Sequence, residues 1–222
     1  MPAIDRNAPA PGNANAAPRT TYRHGDLRRA LLDAGIELAR QGGPDAVVLR
    51  EATRRAGVAP NAAYRHFANR DDLLAAVRAA AVAAAAHFME AELAQVPSTG
   101  TRTEQAHAKV RAVGAGYMRF AHAETGLFRT AFGGRFAVQH DPDPAMGGAT
   151  GLNPFQHLSA ALDDLVTAGA LPPERRPAAE YLAWSTVHGM ALLSIDGPLR
   201  GMPQPMLDGL GQRLLDMVER GL

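Results

Sequence analysis

The stretch LREATRRAGVAPNAAYRHFANRDDLL, residues 49–74, decides how this chain folds. Its first part, residues 50–56, has the length of a two-turn helix whose small and apolar residues are spaced to face inward. Gly57 supplies the left-handed residue of a turn, and Pro60 suits the first position of a second helix because its missing N–H is not needed there. Two helices joined by a three-residue turn that contains glycine predict a helix-turn-helix, with the second helix running to about Phe67.

The second helix of this motif carries side chains that can read DNA. Asn61 can make paired hydrogen bonds to adenine, and Arg65 can reach a guanine or a phosphate. Tyr64 and His66 offer donors for phosphate oxygens, while the small residues beside them allow close approach to the groove. Arg70 stands at the start of the next helix, where a cation opposes the helix dipole, so a DNA phosphate is its expected partner. The residues expected to contact DNA are Arg50, Pro60, Asn61, Ala62, Ala63, Tyr64, Arg65, His66 and Arg70.

Positive charge is concentrated in the part of the chain that holds this motif. The 222 residues carry a formal net charge of +1, but residues 19–78 contain 11 arginines and 7 acidic residues, whereas residues 79–222 contain 11 basic and 14 acidic residues. This distribution has the polarity that phosphate binding needs. An excess of this size is also common on ordinary protein surfaces, so it supports the motif rather than establishing it.

Helical periodicity continues on both sides of the motif, and strand-like alternation never persists. The composition, 46% hydrophobic and 20% charged, suits a folded globular protein. Proline and glycine divide the chain into about nine helices, which predicts an all-α fold with a three-helix DNA-binding domain at residues 19–69 and a larger helical domain at residues 70–222. Residues 1–18, rich in proline, alanine and asparagine, are expected to form a disordered tail.

The chain lacks the sequence features of secreted and membrane proteins. It contains no cysteine and no uninterrupted run of about 18 apolar residues. Residues 1–18 also lack the basic and apolar segments of a signal peptide. We therefore expect a cytoplasmic protein without a membrane span.

The N-terminal region resembles the DNA-binding domain of TetR-family regulators. The resemblance covers about residues 22–78 and rests on HGDLRRALLDAGIELARQGG, residues 24–43, on the stretch 49–74, and on the spacing between them. The family commonly has Ser or Thr as the caps of the two motif helices, where this chain has Val48 and Ala59. Each lost cap costs about 1 kcal/mol, and two phosphate donors are lost with them. The resemblance implies binding to a palindromic double-stranded DNA operator.

A second resemblance lies in YLAWSTVHGMALLSIDGPLR, residues 181–200. Trp184 and His188 are four residues apart and so share one helix face. Together with FGGRF at residues 132–136 and the DPD turn at residues 141–143, this segment is similar to the WHG-type C-terminal domain of the same family.

This similarity implies a small-molecule effector and a homodimer. Dimerisation is expected through about residues 174–196 and 205–220, whose leucines offer more apolar surface than the edge of one monomer should leave exposed. Aromatic and methionine side chains with a few polar tips suit a mixed apolar ligand, although such residues at helical spacing more often belong to the core. The candidate pocket residues are Phe88, Tyr117, Met118, His122, Phe128, Trp184, His188 and Met190.

Motifs that carry catalytic chemistry are missing from the sequence. The eight histidines form neither HxxxH nor HExxH, and no GxSxG, P-loop or GxGxxG pattern occurs. The sequence therefore predicts no enzyme, no metal site and no cofactor. It predicts a DNA-binding transcriptional regulator, acting as a repressor that a small-molecule ligand releases from its operator. Activation instead of repression, and DNA binding without a ligand response, remain alternatives at this point.

Overall fold

The computed structural model describes residues 24–133 and 143–221, and these residues form an all-helical protein without strands. Three 3₁₀ turns, at Pro44–Ala46, Pro144–Met146 and Pro173–Arg175, lie between the α-helices. The α-helices are α1 (His24–Gly42), α2 (Leu49–Arg55), α3 (Pro60–Ala63), α4 (Arg70–Leu93), α5 (Arg102–Ala123), α6 (Thr125–Phe132), α7 (Pro154–Thr167), α8 (Ala179–Ile195) and α9 (Gln204–Gly221). The predicted all-α class with about nine helices is confirmed.

The longest helix, α4, is the element on which the others pack. Its first turn is capped by Asn69, whose side-chain oxygen accepts a hydrogen bond from the Asp72 amide at 2.9 Å. Leu73 and Val77 are fully buried beside α1, and Met89 is buried beside α5. By length and composition alone α4 could cross a membrane, but in this fold it is the central helix of a bundle and contacts α1, α5, α6 and α7.

Helix α1 packs on α4, and α2 and α3 pack on α1 around a small apolar core. Leu31 and Val47 are completely buried, and Phe67 is 2% exposed. Gly35 of α1 allows the close approach to α4, because a Cβ atom at this position would lie 2.7 Å from Cγ2 of Val77. Close packing of α1 therefore links the predicted helix-turn-helix to α4.

Helix α5 also approaches α4 closely, and it carries a glycine at the contact. A Cβ atom on Gly116 would lie 2.6 Å from Cα of Met89 and 2.8 Å from its amide nitrogen. At the start of α5, Thr101 and Glu104 form a reciprocal capping box: the Thr101 amide donates to Oε2 of Glu104 at 2.7 Å, and the Glu104 amide donates to Oγ1 of Thr101 at 3.2 Å. The capped end and the glycine contact together define where α5 lies on α4.

The start of α6 contacts the end of α1, which joins the two halves of the molecule directly. Gly126 lies so close to the carbonyl oxygens of Ala39 and Arg40 that a Cβ atom there would overlap both. Arg40 also donates from Nε to Oε2 of Glu124 at 2.8 Å. Consistent with this contact, one buried apolar cluster continues from α1 to α9.

The start of α8 differs clearly from its prediction. The helix expected from about residue 174 begins at Ala179, because Pro177 cannot donate a backbone hydrogen bond and Ala178 adopts a left-handed conformation with φ of 64°. The final helix has nearly its expected bounds. The tail expected at residues 1–18, and most of the FGGRF and DPD segments, lie outside the described residues.

Replacing Gly116 with alanine should destabilise the protein, because α4 and α5 would have to separate to admit one methyl group. Overpacking of this kind costs about 1–3 kcal/mol, and the free energy of unfolding in urea should fall by that amount. Gly209→Ala is the matched control: its added Cβ meets no heavy atom within 4 Å, so it should gain about 0.5–1 kcal/mol of helix propensity. Equal stability of wild type and Gly116→Ala would contradict the close contact.

Candidate nucleic-acid interface and interior cavity

The two helices of the predicted motif begin without side-chain caps. Val48 precedes α2 and Ala59 precedes α3, both in extended conformations, and neither makes a side-chain hydrogen bond to the helix. Gly57 has a φ of 66°, the left-handed conformation that the sequence predicts for the turn. Because local caps are missing, packing against the neighbouring helices must hold the motif in place.

The second helix of the motif is shorter than predicted. It ends at Ala63 rather than near Phe67, and the amides of His66 and Phe67 both donate to the Ala63 carbonyl as the chain turns, at 2.9 and 3.0 Å. Ala63 is also completely buried. A helix this short must bury one side, and Ala63 and Phe67 form that side. The prediction that Ala63 contacts DNA is therefore corrected, since its methyl group packs in the core.

The outer side of α3 and the following turn presents side chains that suit DNA. Tyr64 is 58% exposed, and Asn61 and Arg65 are exposed as well. On α2, Arg50 is exposed. Among the described residues, neither Arg50 nor Arg65 has an ion-pair partner. This surface combines hydrogen-bonding groups with uncompensated positive charge. Of the other predicted contacts, Ala62 is half-buried and Pro60 opens α3.

The other two arginines of α2 share one carboxylate of the same helix. Arg54 donates to both carboxylate oxygens of Glu51, at 2.8 and 2.6 Å, and Arg55 donates to Oε1 of Glu51 at 3.3 Å. The hydrogen bonds from Arg54 are the main reason that the pKa of Glu51 falls to about 2. The carboxylate is therefore ionised at neutral pH and offsets part of the charge of α2.

Arg70, which the sequence analysis assigns to a phosphate, is bound within the protein instead. Its Nε donates to the Val47 carbonyl and its Nη2 donates to the Pro44 carbonyl, both at 2.8 Å. These two carbonyls lie in the segment before α2, where the Pro44 carbonyl also accepts from the Val47 amide at 3.3 Å, and a guanidinium can bond both at once. Arg70 therefore positions the motif on α4, and we expect these internal bonds to take the place of the predicted phosphate contact.

A cavity of about 840 Å³ lies between α4, α5, α7, α8 and α9. Tyr117 and Trp184, two of the residues predicted to bind a ligand, line it. His66, predicted to contact DNA, is half-buried and lines the end of the cavity nearest the reading motif. The volume falls in the range of small-molecule sites, about 300–1,000 Å³.

Tyr117 and Trp184, which line this cavity, form a hydrogen-bonded chain with His188, which lies behind the lining. Nε1 of Trp184 donates to the Tyr117 hydroxyl at 3.2 Å, and that hydroxyl lies 2.7 Å from Nδ1 of His188. Burial raises the pKa of Tyr117 and lowers the pKa of His188. Both groups are therefore neutral at neutral pH, and one hydrogen bond joins the Tyr117 hydroxyl to His188.

The other residues predicted to bind a ligand do not line the cavity. Phe128 is buried in the aromatic core with Phe120, Nε2 of His122 faces Oγ of Ser194 at 3.3 Å, and Met118 lies beside Gly211 of α9. The predicted residues outside the lining are Phe88, Met118, His122, Phe128, His188 and Met190. Residue type alone favours them as pocket residues, but it carries no information about the direction in which a side chain packs.

Several residues that line the cavity are not among those predicted from the sequence. Ala75, Val82 and Met89 are seven residues apart on α4 and therefore form one face of that helix. Phe155 enters from the first turn of α7. The seven-residue spacing is visible in the sequence, but the empty space opposite it is not. Within residues 24–133 and 143–221, no three His, Asp or Glu side chains come together as a metal site would require.

Two family models match the chain. Residues 31–77 match the model described as bacterial regulatory proteins, tetR family, and residues 110–218 match the model described as tetracyclin repressor-like, C-terminal domain. Together the two matches cover more than two thirds of the chain. Among curated proteins, no match to the sequence is found.

Solved structures with the same fold cover most of the chain. A protein with unknown function from Rhodococcus sp. RHA1 is 27% identical, with a TM-score of 0.65 over 92% of this chain and 99% of that one. FadR from Bacillus subtilis in complex with stearoyl-CoA is 16% identical, with a TM-score of 0.61 over 87% and 98%. A TetR variant from Acinetobacter baumannii AYE in complex with minocycline is 18% identical, with a TM-score of 0.58 over 86% and 93%. The last two likenesses concern the fold alone.

Asn61→Ala should relax base preference at one position of each half-site, because a paired contact to a base is worth about 1–3 kcal/mol of discrimination. Tyr64→Phe should instead weaken binding to all sequences similarly. Both variants would be compared by fluorescence anisotropy on a duplex that the wild-type protein selects from a random-sequence pool, and on its single-base variants. If both bound every duplex as the wild type does, the assignment of the reading face would be wrong.

Arg70→Gln should destabilise the protein and leave the number of phosphate contacts unchanged. It removes two hydrogen bonds from a charged donor, worth about 1.5–3 kcal/mol each, while the slope of log affinity against log salt should equal that of wild type. Arg65→Gln is the opposite control, with a slope smaller by about 1 for each subunit bound to the DNA and unchanged stability. A smaller slope for Arg70→Gln would show that Arg70 does contact a phosphate.

Proposed function

We propose that this chain, which belongs to the TetR family of transcriptional regulators, is a repressor that binds a palindromic operator as a homodimer and is released by a small-molecule effector. As a member of this family it binds DNA and is not an enzyme. The proposal rests on one observation: the same helix, α4, contacts the reading motif and lines the cavity. Arg70 at the start of α4 holds the reading motif, and Val82 farther along α4 lines the cavity.

Two packed contacts give effector binding a route to the reading motif. The first is α4 itself, whose cavity-facing residues lie on the same helix as Arg70. The second is α6, because Phe132 lines the cavity while Gly126 touches the end of α1. An effector releases DNA only in so far as it prefers a conformation in which the two recognition helices no longer match successive major grooves.

A second copy of the chain is the proposed partner for the exposed side of α8 and α9. Large apolar side chains stand out from both helices, with exposures between 42% and 64%: Tyr181, Leu182, Leu192 and Leu193 on α8, and Met206 and Met217 on α9. An isologous four-helix contact would bury this surface. Because a recognition helix of one turn reads few bases, a two-fold pair would also double the length of the operator.

The proposal assigns the parts of the chain as follows. Residues 19–69 form the DNA-binding domain, residues 70–222 form the effector-binding and dimerisation domain, and the protein acts in the cytoplasm. FadR and the TetR variant were solved with stearoyl-CoA and minocycline, which supports a small-molecule effector for this chain. Repression is the proposed outcome. The protein bound to its operator would block transcription, and its release by the effector would allow transcription.

Leu182→Lys should convert the dimer into a monomer and weaken operator binding by at least about tenfold. Leu182 is 64% exposed in one chain, so the substitution should spare the fold while placing an ammonium group in the apolar contact, where it is penalised. Sedimentation equilibrium would report a change from twice 23.4 kDa to 23.4 kDa. Footprinting of the wild type should show two half-sites about 10 base pairs or a multiple apart.

Leu152→Lys provides the matched control. Leu152 is also exposed, at 36%, but it lies outside α8 and α9. This variant should remain dimeric and bind the operator like wild type. A monomeric wild type, or a dimeric Leu182→Lys protein with full operator affinity, would contradict the proposed contact.

A further inference from the structure

We infer that the cavity takes an uncharged, elongated and mainly apolar ligand, such as an unbranched alkyl chain that ends in a hydroxyl, ketone or ester group. The inference rests on the proposed function, since it names the class of effector for the same cavity. It follows because polar side chains of the cavity wall are already hydrogen-bonded or ion-paired to other side chains of the protein.

The surface that faces the cavity is mainly hydrocarbon. Aromatic rings line one side, where Phe155 packs on Trp184 with ring centroids 6.4 Å apart and Phe132 packs on Trp184 at 6.3 Å. Aliphatic side chains, including Val113 and Val187, line the rest. With such a wall, the binding free energy depends on the apolar area that the ligand buries and not on charge.

The polar chain behind the aromatic wall offers a ligand no charge. The Tyr117 hydroxyl accepts from Nε1 of Trp184 and is hydrogen-bonded to Nδ1 of His188, so all three groups already have a partner. His188 itself does not line the cavity. The three side chains therefore satisfy one another and leave the wall effectively apolar.

Arg111 lines one end of the cavity but is already compensated. It pairs with Asp216, donates to Oε2 of Glu219 at 3.1 Å and donates to Oε1 of Gln212 at 2.9 Å. Oε1 of Glu219 has no hydrogen-bond partner among the described residues, but this atom is completely buried and so does not face the cavity. This end of the cavity therefore has no unpaired charge to which a ligand could bind.

The other charged residues of the lining are engaged or solvated. Arg78 donates to the carbonyls of Thr130 and Gly133, at 3.1 and 3.4 Å. Arg28, Asp72 and Asp143 are exposed to solvent. A charged ligand group deep in the cavity, away from these solvent-exposed charges, would lose its hydration without gaining a counter-charge, which carries a large penalty. The ligand is therefore expected to be uncharged.

One place in the lining suits an oxygen atom of the ligand. Asn153 and Gln156 bind each other's backbone amides through their side-chain oxygens, both at 2.9 Å. These bonds orient both side-chain amides, so that their NH₂ groups remain as neutral donors. Asn153 is almost buried at 9% exposure and lines the cavity. A hydroxyl, ketone or ester oxygen could accept a hydrogen bond there.

The shape of the cavity favours a long molecule. Its lining on α4 runs from Asp72 to Met89, and 17 residues of helix span about 25 Å. Farther along, the lining includes Val218 of α9 at one end and Phe67 of the reading motif at the other. A linear chain fills such a space with fewer voids than a compact molecule, and voids forfeit contact energy.

The only tryptophan of the chain, Trp184, lines the cavity, so its fluorescence reports directly on occupancy. The probes are 1-decanol, decanoate and decyltrimethylammonium below their micellar concentrations, which share an alkyl length and differ in charge. We expect 1-decanol to shift the Trp184 emission and to bind at least about tenfold more tightly than either ion. Equal or tighter binding of decanoate or decyltrimethylammonium overturns the uncharged class.

Variants that fill the cavity provide the control. Ala183→Phe places a ring in the lining, and Val82→Phe does so from α4 in case the first variant folds poorly. Each variant that keeps its operator binding should lose the response to 1-decanol. An unchanged response in such a variant, or no response of the wild type to any of the three probes, overturns the inference.

A third variant tests the polar end. Asn153→Asp keeps a side-chain oxygen that can cap α7 but replaces the amide donor with a charge. It should weaken binding of 2-decanone by about tenfold. Equal binding by wild type and Asn153→Asp would contradict the assignment of the ligand oxygen to this position.

Operator release is measured separately, by the anisotropy of a labelled operator duplex, so that the two proposals can fail independently. If decanoate alone binds and releases the operator, the proposed function stands and the ligand class is wrong. If 1-decanol binds selectively but the operator stays bound, the ligand class stands and the release step of the proposed function fails.

Discussion

The two hydrogen bonds from the Arg70 guanidinium to the carbonyls of Pro44 and Val47 tie the reading motif to α4. The motif needs this tie because it is too small to hold its own geometry. Its second helix has four residues, and neither of its helices has a side-chain cap. Charge-assisted bonds and the buried ring of Phe67 provide the missing order. The direction in which the exposed face points therefore depends on where α4 lies.

The position of α4 depends in turn on close contacts with neighbouring helices, which leave no space for an added methyl group. At Gly35 and Gly116, neighbouring helices lie so close to α4 that an added methyl group would clash. Gly126 makes a similar contact between α6 and α1. Close-packed interfaces pass displacements on rather than absorbing them. An apolar effector suits such a molecule, since it would act by filling volume next to α4 and α6 rather than by pairing charges.

The reading face could largely be predicted from the sequence, with one clear error. Asn61, Tyr64 and Arg65 are exposed as expected, because a helix of known start has a predictable outer side. Ala63 resembles its neighbour Ala62 in every local respect, and only the packing of the short helix shows that it faces inward. The internal partners of Arg70 could not be predicted, because its two acceptors lie 23 and 26 residues earlier in the chain. Helical spacing carries no information about such distant partners.

The sequence by itself determined the all-α class, the helix-turn-helix, the missing caps and the likeness to one family of regulators. All of these follow from local spacing and turn chemistry. Only the tertiary structure decided which aromatic residues border the cavity: Tyr117 and Trp184 do, whereas Phe88 and Phe128 do not. All four lie on apolar helix faces. Periodicity identifies an apolar face, but a cavity forms only where side chains from several helices together fail to fill the space between them.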